Sequence, residues 1–119
     1  MKSLIRKIFE RICSGFRRKR ILYVGVAEYS DDIKILEANN DVTSIDLVKT
    51  KFGAKKHFVK SITDANFPDD YFDVIFMLGV VGYGLDEPEK ILKAFENVRR
   101  MLKPNGSVIF TMTKRTTAK

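Results

Sequence analysis

Two hydrophobic periodicities alternate along this chain. Ile21–Gly25 reads Ile-Leu-Tyr-Val-Gly, a continuous apolar run with β-branched and aromatic members, as expected of a strand covered on both faces. Val42–Asp46, His57–Lys60, Phe72–Met77 and Ser107–Met112 are further short runs bounded by turn residues, and they predict four more strands. Between them the spacing becomes helical. Ser30, Asp31 and Asp32 supply a capping side chain and first-turn acids for a short helix ending near Asn39 and Asn40. Glu87–Lys103 carries Pro88 in its first turn, Ile91, Leu92, Phe95, Val98 and Leu102 on one face, and Arg99, Arg100 and Lys103 near its end. Residues 47–56 are too few for a long crossover helix. Residues 3–18 predict an amphipathic helix whose apolar stripe is Ile5, Ile8, Phe9, Ile12 and Phe16.

Strands alternating with crossovers imply an α/β fold built on a parallel sheet with right-handed connections. The stretch from Asp64 to Phe110 is the most informative. An apolar strand runs into the glycine-rich loop Gly79-Val80-Val81-Gly82-Tyr83-Gly84, a helix follows, and Pro104-Asn105-Gly106 launches another apolar strand. Ligands in open α/β sheets sit where such strands end.

Composition narrows the picture. A chain of 119 residues with 45% hydrophobic content suits one globular domain. No apolar run approaches the ~20 residues needed to span a bilayer, and Arg6, Lys7, Glu10 and Arg11 interrupt any signal-peptide core. The single cysteine, Cys13, fits a reducing compartment and predicts a cytoplasmic location. One cysteine and one histidine leave nothing for a zinc cluster. The net charge of +7 belongs to residues 1–20, where Lys2, Arg6, Lys7, Arg11, Arg17, Arg18, Lys19 and Arg20 face Glu10 alone. The neutral remainder argues against extensive nucleic-acid binding, and any anionic surface contact is expected through residues 1–20. The predicted organisation is a basic amphipathic helix over 1–20, an α/β domain over 21–113 and a flexible polar tail over 114–119.

Only Gly25 stands where a dinucleotide fingerprint needs three spaced glycines, and no Gly-Lys-Ser/Thr phosphate loop occurs. Two other motifs carry more. Phe67-Pro68-Asp69-Asp70-Tyr71-Phe72-Asp73-Val74-Ile75-Phe76 and Leu102-Lys103-Pro104-Asn105-Gly106-Ser107 resemble the fourth-strand entry and fifth-strand turn of the class I S-adenosylmethionine-dependent methyltransferases, in particular the methyltransferase type 11 kind. The resemblance covers about residues 20–113. It implies a Rossmann-like sheet of about five strands in the order 3-2-1-4-5 with flanking helices, lacking the usual last two strands, and S-adenosyl-L-methionine as cofactor.

Carried over residue by residue, the resemblance implies that Gly25 and Val26 approach the methionine part of the cofactor and that Asp46 binds the ribose hydroxyls. Leu47 would pack on the adenine, and Ser61 and Ile62 would meet its edge. Leu78 and Gly79 would face the donor amino acid, and the acceptor would enter over Val80–Gly84, with Tyr83 as the acceptor-side candidate. Each has a plainer reading: Gly25 as a tight turn, Asp46 as a loop cap, Tyr83 as packing. His57 and Asp73 read as structural.

The chain departs from the family's glycine loop after the first strand. Tyr23 stands for its acid, Ala27 and Tyr29 for two glycines, and Glu28 adds a negative charge. The resemblance also implies that the fifth strand forms a sheet edge. An apolar edge over 107–112 invites a second copy or a partner subunit. The expected function is a methyltransferase acting on a small-molecule acceptor. The alternative is a catalytically inactive methyltransferase-like domain serving as an interaction or regulatory module. A third reading puts the basic helix on anionic lipid or RNA.

Overall fold

The computed structural model describes residues 4–26, 32–47, 50, 52–81 and 87–112. Its elements, in chain order, are α1 (Leu4–Ser14), β1 (Arg20–Val24), α2 (Asp32–Glu37), β2 (Asp41–Asp46), β3 (Lys56–Val59), β4 (Phe72–Val81), α3 (Pro88–Met101) and β5 (Leu102–Met112). The strands form one sheet in the expected order β3-β2-β1-β4-β5, and every neighbouring pair is parallel. The chain steps outward from β1 to β3, then crosses back to β4 on the other side of β1. The carboxyl end of β1 is therefore the topological switch point, where such sheets leave a crevice for a ligand.

Side-chain alternation explains why the strands are apolar throughout. Leu22 and Val24 of β1, with Ile75 and Met77 of β4, face Ala94, Val98 and Met101 of α3. Ile21, Tyr23, Val74 and Phe76 face the opposite layer, which holds Phe9, Cys13 and Phe16 with Ile33 and Leu36 of α2. Successive residues point to opposite faces, so both sets must be apolar when helices cover both sides. Phe76 centres the second layer. It stacks on Tyr23 at 5.4 Å and meets the edges of Phe9 and Phe16 at 5.9 and 6.0 Å.

The boundaries of α1, α3, β4 and β5 differ from the sequence expectation. α1 ends at Ser14, where Gly15 and Phe16 donate to the carbonyls of Ile12 and Cys13 in a tightened last turn. Its buried face is Phe9, Cys13 and Phe16, while Ile8 and Ile12, assigned to the same stripe, are exposed. α3 ends two residues before the expected Lys103, because Pro104 lacks an N–H and disfavours a helical residue before it. β4 runs past Met77 through Gly79 to Val81 by pairing with β5 across a register shift. A second shift lets β5 absorb Lys103–Gly106 between Leu102 and Ser107. Only glycine fits at Gly106, since a Cβ there would lie 2.7 Å from Leu102 Cδ1 and 2.9 Å from the Asp73 carbonyl. The predicted tail, 114–119, lies outside the described residues.

At the amino edge of the sheet, Asp73 ties three strands together. Its carboxylate accepts the Arg20 amide at 2.8 Å and meets Lys103 Nζ at 3.2 Å. Burial opposes its ionisation, but the Arg20 N–H, the Lys103 ammonium and the more distant charge of Lys19 outweigh that effect and hold the carboxyl below its ordinary value. Arg20 also lies over the Tyr71 ring at 4.0 Å.

A depressed folded-state value means that the carboxylate stabilises the fold at neutral pH. That contribution is present above the ordinary unfolded value of about 4 and is lost as pH falls through the lower folded value. Asp73→Asn is therefore expected to lower unfolding free energy by about 1–2 kcal/mol at pH 7. Urea melts across the acid range should show the gap from wild type closing as pH falls. A gap that stays constant with pH contradicts this account.

Candidate functional site

The carboxyl ends of β1 and β2 are joined by backbone and by one carboxylate. Gly25 leaves β1 with a φ of 84°, a conformation that costs glycine little and other residues more. This turn directs the Gly25 N–H to the Ile45 carbonyl at 2.9 Å. The next amide, of Val26, donates to Asp46 Oδ2 at 2.8 Å. The other oxygen, Oδ1, accepts the amide of Leu47 at 2.6 Å. Two backbone amides, one following β1 and one following β2, thus converge on the acid that ends β2. Each carboxylate oxygen keeps a further lone pair for a ligand hydroxyl. Leu47 beside it is 60% exposed, an apolar side chain without cover at a strand end.

Ser61 and Ile62 follow β3, whose exit is fixed by the Lys60 amide donating to the Asp46 carbonyl at 2.9 Å. Ser61 Oγ lies 2.9 Å from Thr63 Oγ1 and accepts the Thr63 amide at 3.2 Å, so it shapes its own turn. The Ile62 side chain is buried in the core with Val24 and Ile45. Leu78 and Gly79 lie within β4, next to the carboxyl end of β1 in the sheet order. Tyr83, Glu28, Tyr29 and the Gly82–Gly84 part of the acceptor loop lie outside the described residues. Gly25, Val26, Asp46, Leu47 and Ser61 are accordingly gathered at one edge of the sheet.

Two groups of contacts have no signature in the sequence. Tyr23, which stands where the resembled family has an acid, donates its hydroxyl to Asp32 Oδ2 at 2.9 Å. Asp32 opens α2 and is buried. A buried carboxyl group therefore lies beside β1 even though the strand carries none, supplied from the helix. On the other face, α3 grips the segment between β3 and β4. Asn97 Nδ2 donates to the Ile62 and Ala65 carbonyls at 2.8 Å each. Arg100 Nη1 donates to the Phe67 carbonyl and to Asp69 Oδ1 at 2.7 Å each, and its Nη2 to Asn97 Oδ1 at 2.8 Å. Helical spacing alone reads Arg100 as a last-turn cation; only the fold turns it into a clamp.

His57 behaves as a structural residue, with Nδ1 2.7 Å from Ser44 Oγ, itself an acceptor for the Ala54 amide. Among the described residues no group of His, Cys, Asp and Glu side chains could hold a metal ion. A hollow lined by Arg18, Lys19, Asp41 and Asp73 lies at the amino edge, opposite these strand ends, and mixes both charges.

The family profile described as a methyltransferase domain matches residues 23–110, which contain the end of β1, the elements from α2 to α3 whole, and all of β5 but its last two residues. The chain belongs to this methyltransferase family. No curated protein matches it. Among solved structures, the chain resembles the N-methyltransferase NodS from Bradyrhizobium japonicum WM9, at 21% identity and a TM-score of 0.70, over 87% of this chain and 64% of that one. It also resembles the PH0226 protein from Pyrococcus horikoshii OT3, at 18% identity and a TM-score of 0.68, over 86% and 53% of the respective chains. A third is the 1,6-didemethyltoxoflavin-N1-methyltransferase of Burkholderia thailandensis, at 18% identity and a TM-score of 0.62, over 82% and 48%. At such identities the likeness is one of fold. The chain spans about half to two thirds of the length of these structures.

The clamp gives a direct test. Arg100→Met removes the donors to Phe67 and Asp69 and is expected to cost about 2 kcal/mol of unfolding free energy in urea titrations. It should also speed amide hydrogen exchange across residues 61–71 more than in β1. A stability within about 0.5 kcal/mol of wild type counts against the clamp.

Proposed function

We propose that this methyltransferase-family chain binds S-adenosyl-L-methionine over the carboxyl ends of β1, β2 and β4 and transfers its methyl group to a small-molecule acceptor. The observation carrying this reading is the convergence of Asp46 and the Gly25–Val26 backbone at the switch point. Asp46 holds the ribose hydroxyls, Leu47 covers one adenine face, and Ser61 with the Ile62 backbone borders its edge. Gly25, Val26, Leu78 and Gly79 border the methionine part, and Tyr83 lies on the acceptor side. The residues present suit such a group, because an acid, a glycine with positive φ and an uncovered leucine adjoin one another.

When bound, the cofactor supplies an electrophilic sulfonium methyl group. The chain's own contribution is then to hold donor and acceptor in line and to exclude water, which can supply much of the acceleration for a displacement. No catalytic base is assigned, since an acceptor that is already nucleophilic needs none. The acceptors named for the relatives are theirs. A cytoplasmic location and a division into a basic segment 1–20, an α/β domain 21–113 and a tail 114–119 belong to the same proposal.

One observation favours the second reading, an inactive methyltransferase-like module. Both Asp46 oxygens already accept backbone amides, so the carboxylate also serves as a loop cap. Calorimetric titration with S-adenosylhomocysteine separates the two. Micromolar binding that weakens about 100-fold or more in Asp46→Ala, as expected for loss of hydrogen bonds to a charged group, supports the cofactor site. No heat at millimolar ligand favours the module.

The sheet edge supports a further part of the reading. Among the described residues β5 pairs only with β4, and Val108 and Phe110 are each 37% exposed. A second copy covering residues 107–112 would remove an apolar edge that otherwise templates pairing. Light scattering over a concentration series should show a dimer that Val108→Lys dissociates, and a wild-type monomer at the highest concentration rules this out.

A further inference from the structure

We propose that α1 is a docking helix for an anionic lipid surface, a role independent of the methyltransferase reading. α1 is amphipathic twice over. Its inner face, Phe9 and Cys13, continues into Phe16 and is spent on the core. Beside that face runs a second apolar stripe, Leu4, Ile8 and Ile12, which are 72%, 51% and 45% exposed. These residues stand at i, i+4 and i+8, so they form one straight ridge about 12 Å long.

Charge identifies what would cover this ridge. Lys7 and Arg11 are exposed on the same helix and lie within about 60° of Leu4 in helical projection, bordering the ridge on its outer side. Past the helix, Arg17, Arg18 and Lys19 are exposed as well. They are held in place, since the Arg18 amide donates to the Asn39 carbonyl at 2.7 Å and the Lys19 amide to Asn40 Oδ1 at 2.9 Å. Asn40 in turn donates to the Phe16 and Leu36 carbonyls at 3.0 and 2.9 Å. The basic turn is therefore fixed beside α2. Residues 1–20 carry eight basic side chains against one acidic, a charge equal to the chain's net +7, so an anionic surface is attracted beside the apolar ridge.

Aliphatic side chains bordered by lysine and arginine suit the boundary between acyl chains and anionic headgroups. A nucleic acid would instead need aromatic faces for stacking, and both aromatic residues of this region, Phe9 and Phe16, are engaged edge-on with Phe76 at 5.9 and 6.0 Å. Among the described residues no helix is long and apolar enough to cross a membrane, so the geometry is that of a helix lying on the surface.

The test uses the 119-residue chain with unilamellar vesicles of phosphatidylcholine, with and without phosphatidylglycerol. Sedimentation with the anionic vesicles, falling with added salt and absent with phosphatidylcholine alone, is the expected result. Lys7→Glu/Arg11→Glu should weaken partitioning at least about 25-fold. Ile8→Ser/Ile12→Ser should weaken it about tenfold or more, with an unchanged thermal melt because both positions are exposed. Since the chain has no tryptophan, Ile8→Trp provides a local probe whose emission should shift blue on anionic vesicles and be quenched by lipids brominated in the acyl chain. Emission indifferent to anionic vesicles overturns the proposal, as does equal binding to both vesicle types. Binding to transfer RNA that matches or exceeds binding to the vesicles overturns it too.

Discussion

β1 is the constraint on which the rest depends. It is hydrogen-bonded on both sides, to β2 from Arg20 to Val24 and to β4 from Ile21 to Val24, and it is buried from Ile21 to Val24. A strand in that position has no freedom to slip, because a one-residue shift would exchange the side chains of its two faces. Those faces pack against different partners, α3 on one side and α1 with α2 on the other. Everything at the switch point is positioned from this strand: Gly25 directly, Asp46 through the ladder to β2, and Leu78 through the ladder to β4.

The two edges of the sheet are built differently. The amino edge is closed by charge, with Asp73 between Arg20 and Lys103 and with Asp41 between Arg20 and Lys56. The carboxyl edge is held by backbone amides donating to a carboxylate and a carbonyl. Charged pairs fasten the strand starts at the first edge. Directional amides at the second leave acceptor capacity and an uncovered leucine beside it. This division suits a site that must receive a polar nucleoside without first breaking an ion pair.

The family's usual acid in the first strand is absent, yet a buried carboxylate occupies that neighbourhood. The Tyr23–Asp32 hydrogen bond moves the negative group from the strand to the helix that follows. Tyr23 then does two jobs, stacking its ring on Phe76 and orienting Asp32 with its hydroxyl, as buried tyrosines do when one end is apolar and the other finds a partner. A departure that looks like loss in one dimension is a rearrangement in three.

Local pattern alone determined the number of strands and their parallel sense, because buried strands must be apolar and crossovers must be right-handed. The strand order came with the resemblance carried by Phe67–Phe76 and Leu102–Ser107. The same resemblance singled out Gly25 and Asp46, a glycine with positive φ and an acid at the end of β2. Sequence spacing could not separate the two apolar stripes of α1: Ile8, Phe9 and Ile12 satisfy one helical period, and only the position of Phe76 decides which of them is buried. Nor could it find Asn97 and Arg100 at the segment between β3 and β4, or Asp32 under Tyr23. Those partners lie 35, 33 and 9 residues apart. Hydrogen bonds between such positions have no periodicity to betray them and exist only once the sheet has brought its crossovers together.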